Sequence, residues 1–171
     1  MEFSAHDPAV RARLDKVRWD GELLPRPLWL PYLTLIGDAT PLATLVERQE
    51  TGSGVRMAVH ALLEDSVVTV EGAGGKEWAR VRYETDAAPE KLEARLINLT
   101  RCPLRLEIQA AYSYNDRGTG THFYRPSFTL HVGDDVSASF PSLGEGGRCY
   151  PDPDEFQTLL VKTVQGATIR R

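Results

Sequence analysis

Between Pro103 and Val132 the chain alternates apolar and polar positions twice, on either side of a Gly-containing break. Leu104, Leu106, Ile108, Ala110, Tyr112 and Tyr114 share one parity, and Arg105, Glu107, Gln109 and Ser113 share the other. A period of two is the mark of a pleated strand with one dry side. Past Asn115-Asp116-Arg117-Gly118-Thr119-Gly120, the return run sets His122, Tyr124, Phe128 and Leu130 on one face and Phe123, Arg125, Ser127, Thr129 and His131 on the other. The two runs predict a long antiparallel hairpin.

Further strands follow from the same reading. Val55, Met57, Val59, Ala61 and Leu63 alternate with Arg56, Ala58, His60 and Leu62, and Glu64-Asp65-Ser66 turns the chain into a run from Val67 to Glu71. Gly72-Ala73-Gly74-Gly75 reads as the next turn. Runs at Trp78 to Thr85, Leu92 to Asn98 and Val136 to Phe140 continue the series, and Phe156 to Val164 with Ala167 to Ile169 are expected to close the sheet. Strands separated by turn signals every 8 to 12 residues or so predict a mainly β protein. The expected architecture is an antiparallel two-layer β-sandwich, with a barrel as the alternative. Unequal strand lengths and broad apolar faces favour the sandwich.

The amino-terminal third has a different grain. Asp7-Pro8 is a helix start, and Val10, Leu14 and Val17 recur at helical spacing. Thr40-Pro41 gives a second start signal, with Leu42, Leu45 and Val46 on one face and Thr51-Gly52 as the stop. Between them, Leu23 to Ile36 is apolar yet interrupted by Pro25, Pro27 and Pro31, which predicts an extended or edge-like segment. Residues 1–52 are therefore read as a short helical, Pro-rich segment packed on a β-sandwich domain formed by residues 53–171. Trp29, in the Pro-rich run, either enters the protein's own core or serves as an aromatic anchor for a partner.

Composition narrows the setting. At 171 residues and 42% hydrophobic, the chain can bury a core without disulfide staples. A formal net charge of -4 argues against a general nucleic-acid binder, which needs a basic surface. The first residues show neither a basic nor an apolar signal region, and no run of about 18 apolar residues appears, so the expectation is a cytoplasmic protein without membrane contact. Cys102 and Cys149 lack Cys-x-x-Cys spacing and read as two reduced thiols. In that setting Asn98-Leu99-Thr100 is not a glycosylation site.

Candidate chemistry is sparse. Gly72-Ala73-Gly74-Gly75-Lys76 lacks the earlier glycine and the trailing Ser or Thr of a phosphate loop. His6, His60, His122 and His131 have no metal-ligand spacing, and His122 and His131 fall on opposite strand faces. Neither a Gly-x-Ser-x-Gly elbow nor a cysteine with a local base signature is present. Asp152-Pro153-Asp154-Glu155 offers hard oxygens on a loop but lacks the twelve-residue calcium pattern, and it equally suits a helix cap. Arg80, Arg82, Arg95 and Arg105 alternate with Glu84, Glu93 and Glu107, which predicts a solvated charge ladder. No cofactor and no metal are expected.

Aromatic residues supply the strongest lead. Tyr112, Tyr114, Phe123 and Tyr124 gather where antiparallel pairing brings the ends of the two strands together. They suit a protein contact or a stacked sugar ring. The leading expectation is a noncatalytic binding or assembly module acting through a protein partner or self-association, by an edge strand or the Pro-rich arm. The alternative is a carbohydrate- or small-ligand-binding sandwich using Tyr112, Tyr114 and Tyr124. A hydrolase-type enzyme pairing His122 with Asp116, Glu145 or Asp152 ranks third.

Overall fold

The computed structural model describes residues 4–79, 87–113, 123–144 and 147–169. Helix α1 (Pro8–Leu14) leads into a two-residue-strand hairpin, β1 (Arg18–Trp19) and β2 (Glu22–Leu23), and then into α2 (Arg26–Ile36). Strands β3 (Ala43–Glu50), β4 (Val55–Leu62), β5 (Ser66–Gly74) and β6 (Lys91–Asn98) follow. The chain continues through β7 (Leu104–Ser113), β8 (Phe123–Val132), β9 (Val136–Phe140), β10 (Arg148–Tyr150) and α3 (Pro153–Ile169).

Two sheets carry the fold, which is mainly β and sandwich-like, and the described strands close no barrel. One has the order β10-β3-β4-β5-β6 and the other β7-β8-β9, and every pairing in both is antiparallel. The five-stranded sheet is covered on both faces. Val46, Met57, Val59, Val68 and Val70 pack beneath α1 and α2, against Leu14, Leu28, Trp29 and Leu33. On the other face, Leu45, Leu62, Val67 and Ile97 meet Leu130 and Phe140 of the smaller sheet and Phe156 and Leu160 of α3. Each such side chain contributes about 1.5–3 kcal/mol through burial. Double coverage also explains why β4 reads as nearly continuous apolar sequence, with six of its eight residues buried in one unbroken run. No helix among the described residues is long and apolar enough to cross a membrane.

The predicted hairpin is present, with Leu104 paired to Val132 and Tyr112 to Tyr124. Asp7 caps α1 as expected, its carboxylate accepting the Ala9 N–H at 2.8 Å. Other expectations are corrected. The Pro-rich run is helical: Pro25 is its N-cap and Pro27 sits in the first turn, where a missing N–H costs nothing. Leu28, Trp29, Tyr32, Leu33 and Ile36 line its buried face, a spacing that outweighs the interior Pro31. Thr40-Pro41 starts no helix, because residues 43–50 pair along the whole of β4. Thr51 instead closes that hairpin, with Thr51 N donating to Gly54 O at 2.9 Å. The last of the amino-terminal helices ends at Ile36, and residue 52 lies between β3 and β4.

Phe156 to Val164 is helix, not strand. Phe156, Gln157, Leu160 and Val164 are its buried positions, and Asp152 caps it by accepting the Asp154 N–H at 3.1 Å. Nor is Gly72 a turn residue. It lies within β5, and Trp78 from the following turn occupies the space a side chain there would need. The strand expected from Trp78 to Thr85 falls partly on residues 80–86, outside the described residues; Trp78 and Ala79 themselves are in a turn.

Candidate functional site

Three features carry polar or exposed chemistry, and the first was not anticipated. Glu47 on β3 and His60 on β4 project from the inner face of the five-stranded sheet, each almost sealed from solvent. His60 Nε2 lies 2.6 Å from Glu47 Oε2. The backbone N–H of Ser142 donates to both carboxylate oxygens at 2.8 Å, its hydroxyl donates to Oε2 at 2.9 Å, and Leu143 N–H donates to Oε1 at 3.1 Å. Burial pushes the Glu47 carboxyl up, but hydrogen bonds and charge from His60 and the two backbone N–H groups outweigh it, holding the group below its usual value. Phe140 meets the His60 ring edge-on at 5.1 Å between centroids.

Serine, histidine and carboxylate together invite comparison with a nucleophilic relay, and the geometry decides against it. A relay needs the serine on one ring nitrogen and the carboxylate on the other. Here Ser142 Oγ, at 3.3 Å, and Glu47 both address Nε2, while Nδ1 has no hydrogen-bond partner among the described residues. The Ser142 and Leu143 N–H groups are spent on Glu47 and so do not serve as oxyanion donors. The cluster is a latch tying residues 142–143 to β3 and β4. Beside it lies a polar cavity of about 30 Å³ lined by His60, Thr69, Glu93 and Arg95.

The second feature is the outer edge of β7. It ends its sheet over ten residues, without proline or lysine, whereas β10 is three residues long and β9 five. Arg95 of β6 reaches the Ser137 carbonyl of β9 at 3.3 Å, so those two edges face each other. Across the smaller sheet, the cross-strand row Ile108, Phe128, Phe140 passes from exposed through half-buried to buried; Ile108 is 59% exposed. On the opposite face Arg105 pairs with Glu107 at 3.3 Å, and His131 Nε2 lies 3.3 Å from Glu107 without hydrogen-bond geometry.

The third is a groove of about 350 Å³ between α1, the α2–β3 connection and the start of α3. Arg13, Lys16, Asp38 and Glu155 bring charge to it, and Tyr32 forms part of its lining. Burial pushes the Tyr32 phenol well above its usual value, against the opposing effect of Arg13.

Among the residues singled out in the sequence, Tyr112 and Tyr124 are direct partners in the β7–β8 ladder, and Ser113 pairs with Phe123. Tyr114 lies outside the described residues, as do His122, Asp116 and Glu145. Trp29 is 4% exposed and packs in the core beneath α2, so it is not available as a surface anchor. Arg95 pairs at 3.3 Å with Glu93 of its own strand, and β6 and β7 belong to different sheets, so Arg95 and Arg105 form no ladder with Glu93 and Glu107 across neighbouring strands; Arg80, Arg82 and Glu84 lie outside the described residues. Asp152 serves as a cap, and no three His, Cys, Asp or Glu among the described residues are placed to hold a metal ion. His60, a polar residue in the apolar second half of β4, was the available signal for the latch; Glu47, followed by Arg48, Gln49 and Glu50, gave none.

The fold and these features together define a sandwich-like β protein with helices on its outer sheet face. Compared with known proteins, the chain matches no family model, no curated protein and no solved structure.

Proposed function

We propose that the protein is a noncatalytic assembly module that adds a second copy of itself at the outer edge of β7. The observation that supports this reading is the edge itself: a ten-residue strand with no other strand paired beyond it among the described residues, bordering an apolar row that emerges at Ile108. Strand addition supplies main-chain hydrogen bonds, and alternate side chains supply selectivity.

The β7 sequence is self-complementary in one antiparallel register. Pairing about Leu106 sets Leu104 opposite Ile108 of the second copy and extends the apolar row across the join. The same register sets Arg105 opposite Glu107 in both directions. Two three-stranded sheets would become one of six strands about a two-fold axis, an isologous contact that closes on itself.

Solution mass tests the reading. The intact chain is expected to form a concentration-dependent dimer. Arg105→Glu and Glu107→Arg singly are expected to weaken it, and the double exchange to restore it. A monomer at concentrations up to about 1 mM, where association contributes only about 4 kcal/mol, overturns the proposal. So does a dimer indifferent to both single changes.

A further inference from the structure

We infer that the groove between α1, the α2–β3 connection and α3 is a binding site for a small zwitterion of the amino-acid type with an apolar side chain. The groove encloses about 350 Å³, within the range of small-molecule sites. Tyr32 lines it, is only 1% exposed, and has a hydroxyl with no hydrogen-bond partner among the described residues. Native proteins leave few buried hydroxyls unpaired, so one at a groove marks where a ligand's acceptor belongs. A neutral phenol in that position is a donor.

The charges select the class. Arg13 and Lys16 come from α1 and the turn after it, Asp38 from the α2–β3 connection, and Glu155 from the first turn of α3. Among the described residues no ion pair joins any of the four, and Arg13 donates to the Gly37 carbonyl. A simple anion would meet two cations but also two carboxylates, and a simple cation would face the reverse. A ligand carrying both signs satisfies both pairs: its carboxylate suits Arg13, Lys16 and the Tyr32 hydroxyl, and its ammonium suits Asp38 and Glu155. Leu42, 50% exposed on the lining, offers apolar surface to the side chain.

Titration of the intact protein by two-dimensional NMR provides the test, with L-leucine and L-phenylalanine as zwitterionic probes. The controls are 4-methylpentanoate, which is leucine without its ammonium, and 3-methylbutylamine, which is leucine without its carboxylate. Saturable shifts around Tyr32 are expected with at least one amino acid, and binding of either control at least tenfold weaker than leucine's if leucine is the one bound. Tyr32→Phe is expected to weaken the amino acid about tenfold, as loss of one hydrogen bond to a charged group does. Should that variant unfold, Asp38→Asn at the exposed rim replaces it, and is expected to weaken the amino acid while leaving 4-methylpentanoate unchanged. The inference is overturned if both amino acids leave the spectrum unmoved at millimolar concentration. It is equally overturned if 4-methylpentanoate binds as tightly as leucine, or if the variant that folds binds as the parent does.

Discussion

His60 Nε2 and Glu47 Oε2 lie 2.6 Å apart inside the sandwich, with both side chains at 2% exposure or less. The contact is not confined to these two side chains. Glu47 also gathers the backbone N–H groups of Ser142 and Leu143, so one carboxylate joins β3, β4 and the segment after β9. Removing it strands several donors at once. Glu47→Ala is expected to destabilise the fold by about 3–5 kcal/mol, the cost of breaking a buried pair from one side. Chemical denaturation measures this directly, and a loss below about 1 kcal/mol would show the latch to be dispensable.

The latch also sets a pH dependence with a definite sign. Its donors hold the folded-state Glu47 carboxyl below its usual value, despite burial acting the other way. A carboxyl depressed on folding contributes stability that is fully present above its unfolded value, about 4.3, and is lost as pH falls through the folded value. The stability difference between the parent and Glu47→Gln is therefore expected to be constant near neutrality and to shrink on acidification below about pH 4.3. Denaturant midpoints of both proteins between neutral and acid pH check it; a difference independent of pH counts against the assignment.

Gly72 and Trp78 are coupled by shape. A Cβ on Gly72 would lie 2.8 Å from Trp78 Cη2, and the indole is held in place because Nε1 donates to the Val55 carbonyl at 3.2 Å. Gly72→Ala is expected to cost about 1–3 kcal/mol through overpacking. Combining it with Trp78→Leu should cost less than the sum of the two changes, because the smaller side chain vacates the contested space. Strict additivity in the double-mutant cycle would remove the steric explanation.

Strands β7 and β8 were legible because a period of two survives where one sheet face is drier than the other, as at Leu104 and Leu106, whereas β4, buried on both faces, was legible as an apolar run. The errors have a common cause. In α2, three prolines suggested an extended chain, but their positions at the cap, the first turn and one interior site leave the buried stripe from Leu28 to Ile36 intact. For β3, the local helix start at Thr40-Pro41 lost to pairing with β4, a contact visible only in three dimensions. In α3, apolar residues at 156, 160 and 164 fit a helix or an alternating strand equally well, and the decisive cap is Asp152. His60 stood out as a polar residue in the apolar half of β4, but Glu47, followed by Arg48, Gln49 and Glu50, did not. Their partner Ser142 lies more than eighty residues further along, which no local pattern connects.

Gln157 offers the last test, because it shows how α3 is held to the smaller sheet. It is 3% exposed, and its Nε2 donates to the Pro126 carbonyl at 2.7 Å and the Phe140 carbonyl at 3.0 Å, joining one helix to two strands. Both N–H groups of the amide are used, so a hydrophobic replacement of similar size removes two hydrogen bonds while keeping the packing. Gln157→Leu is expected to lower stability by about 1–3 kcal/mol, since the carbonyls lose these donors inside the fold. Gln157→Glu should cost more: a carboxylate cannot donate to either carbonyl, and its charge would be buried. Thermal and denaturant unfolding rank the two variants. If leucine proves neutral, α3 is held by the apolar contacts of Phe156, Leu160 and Val164 alone, and the amide bridge contributes nothing measurable.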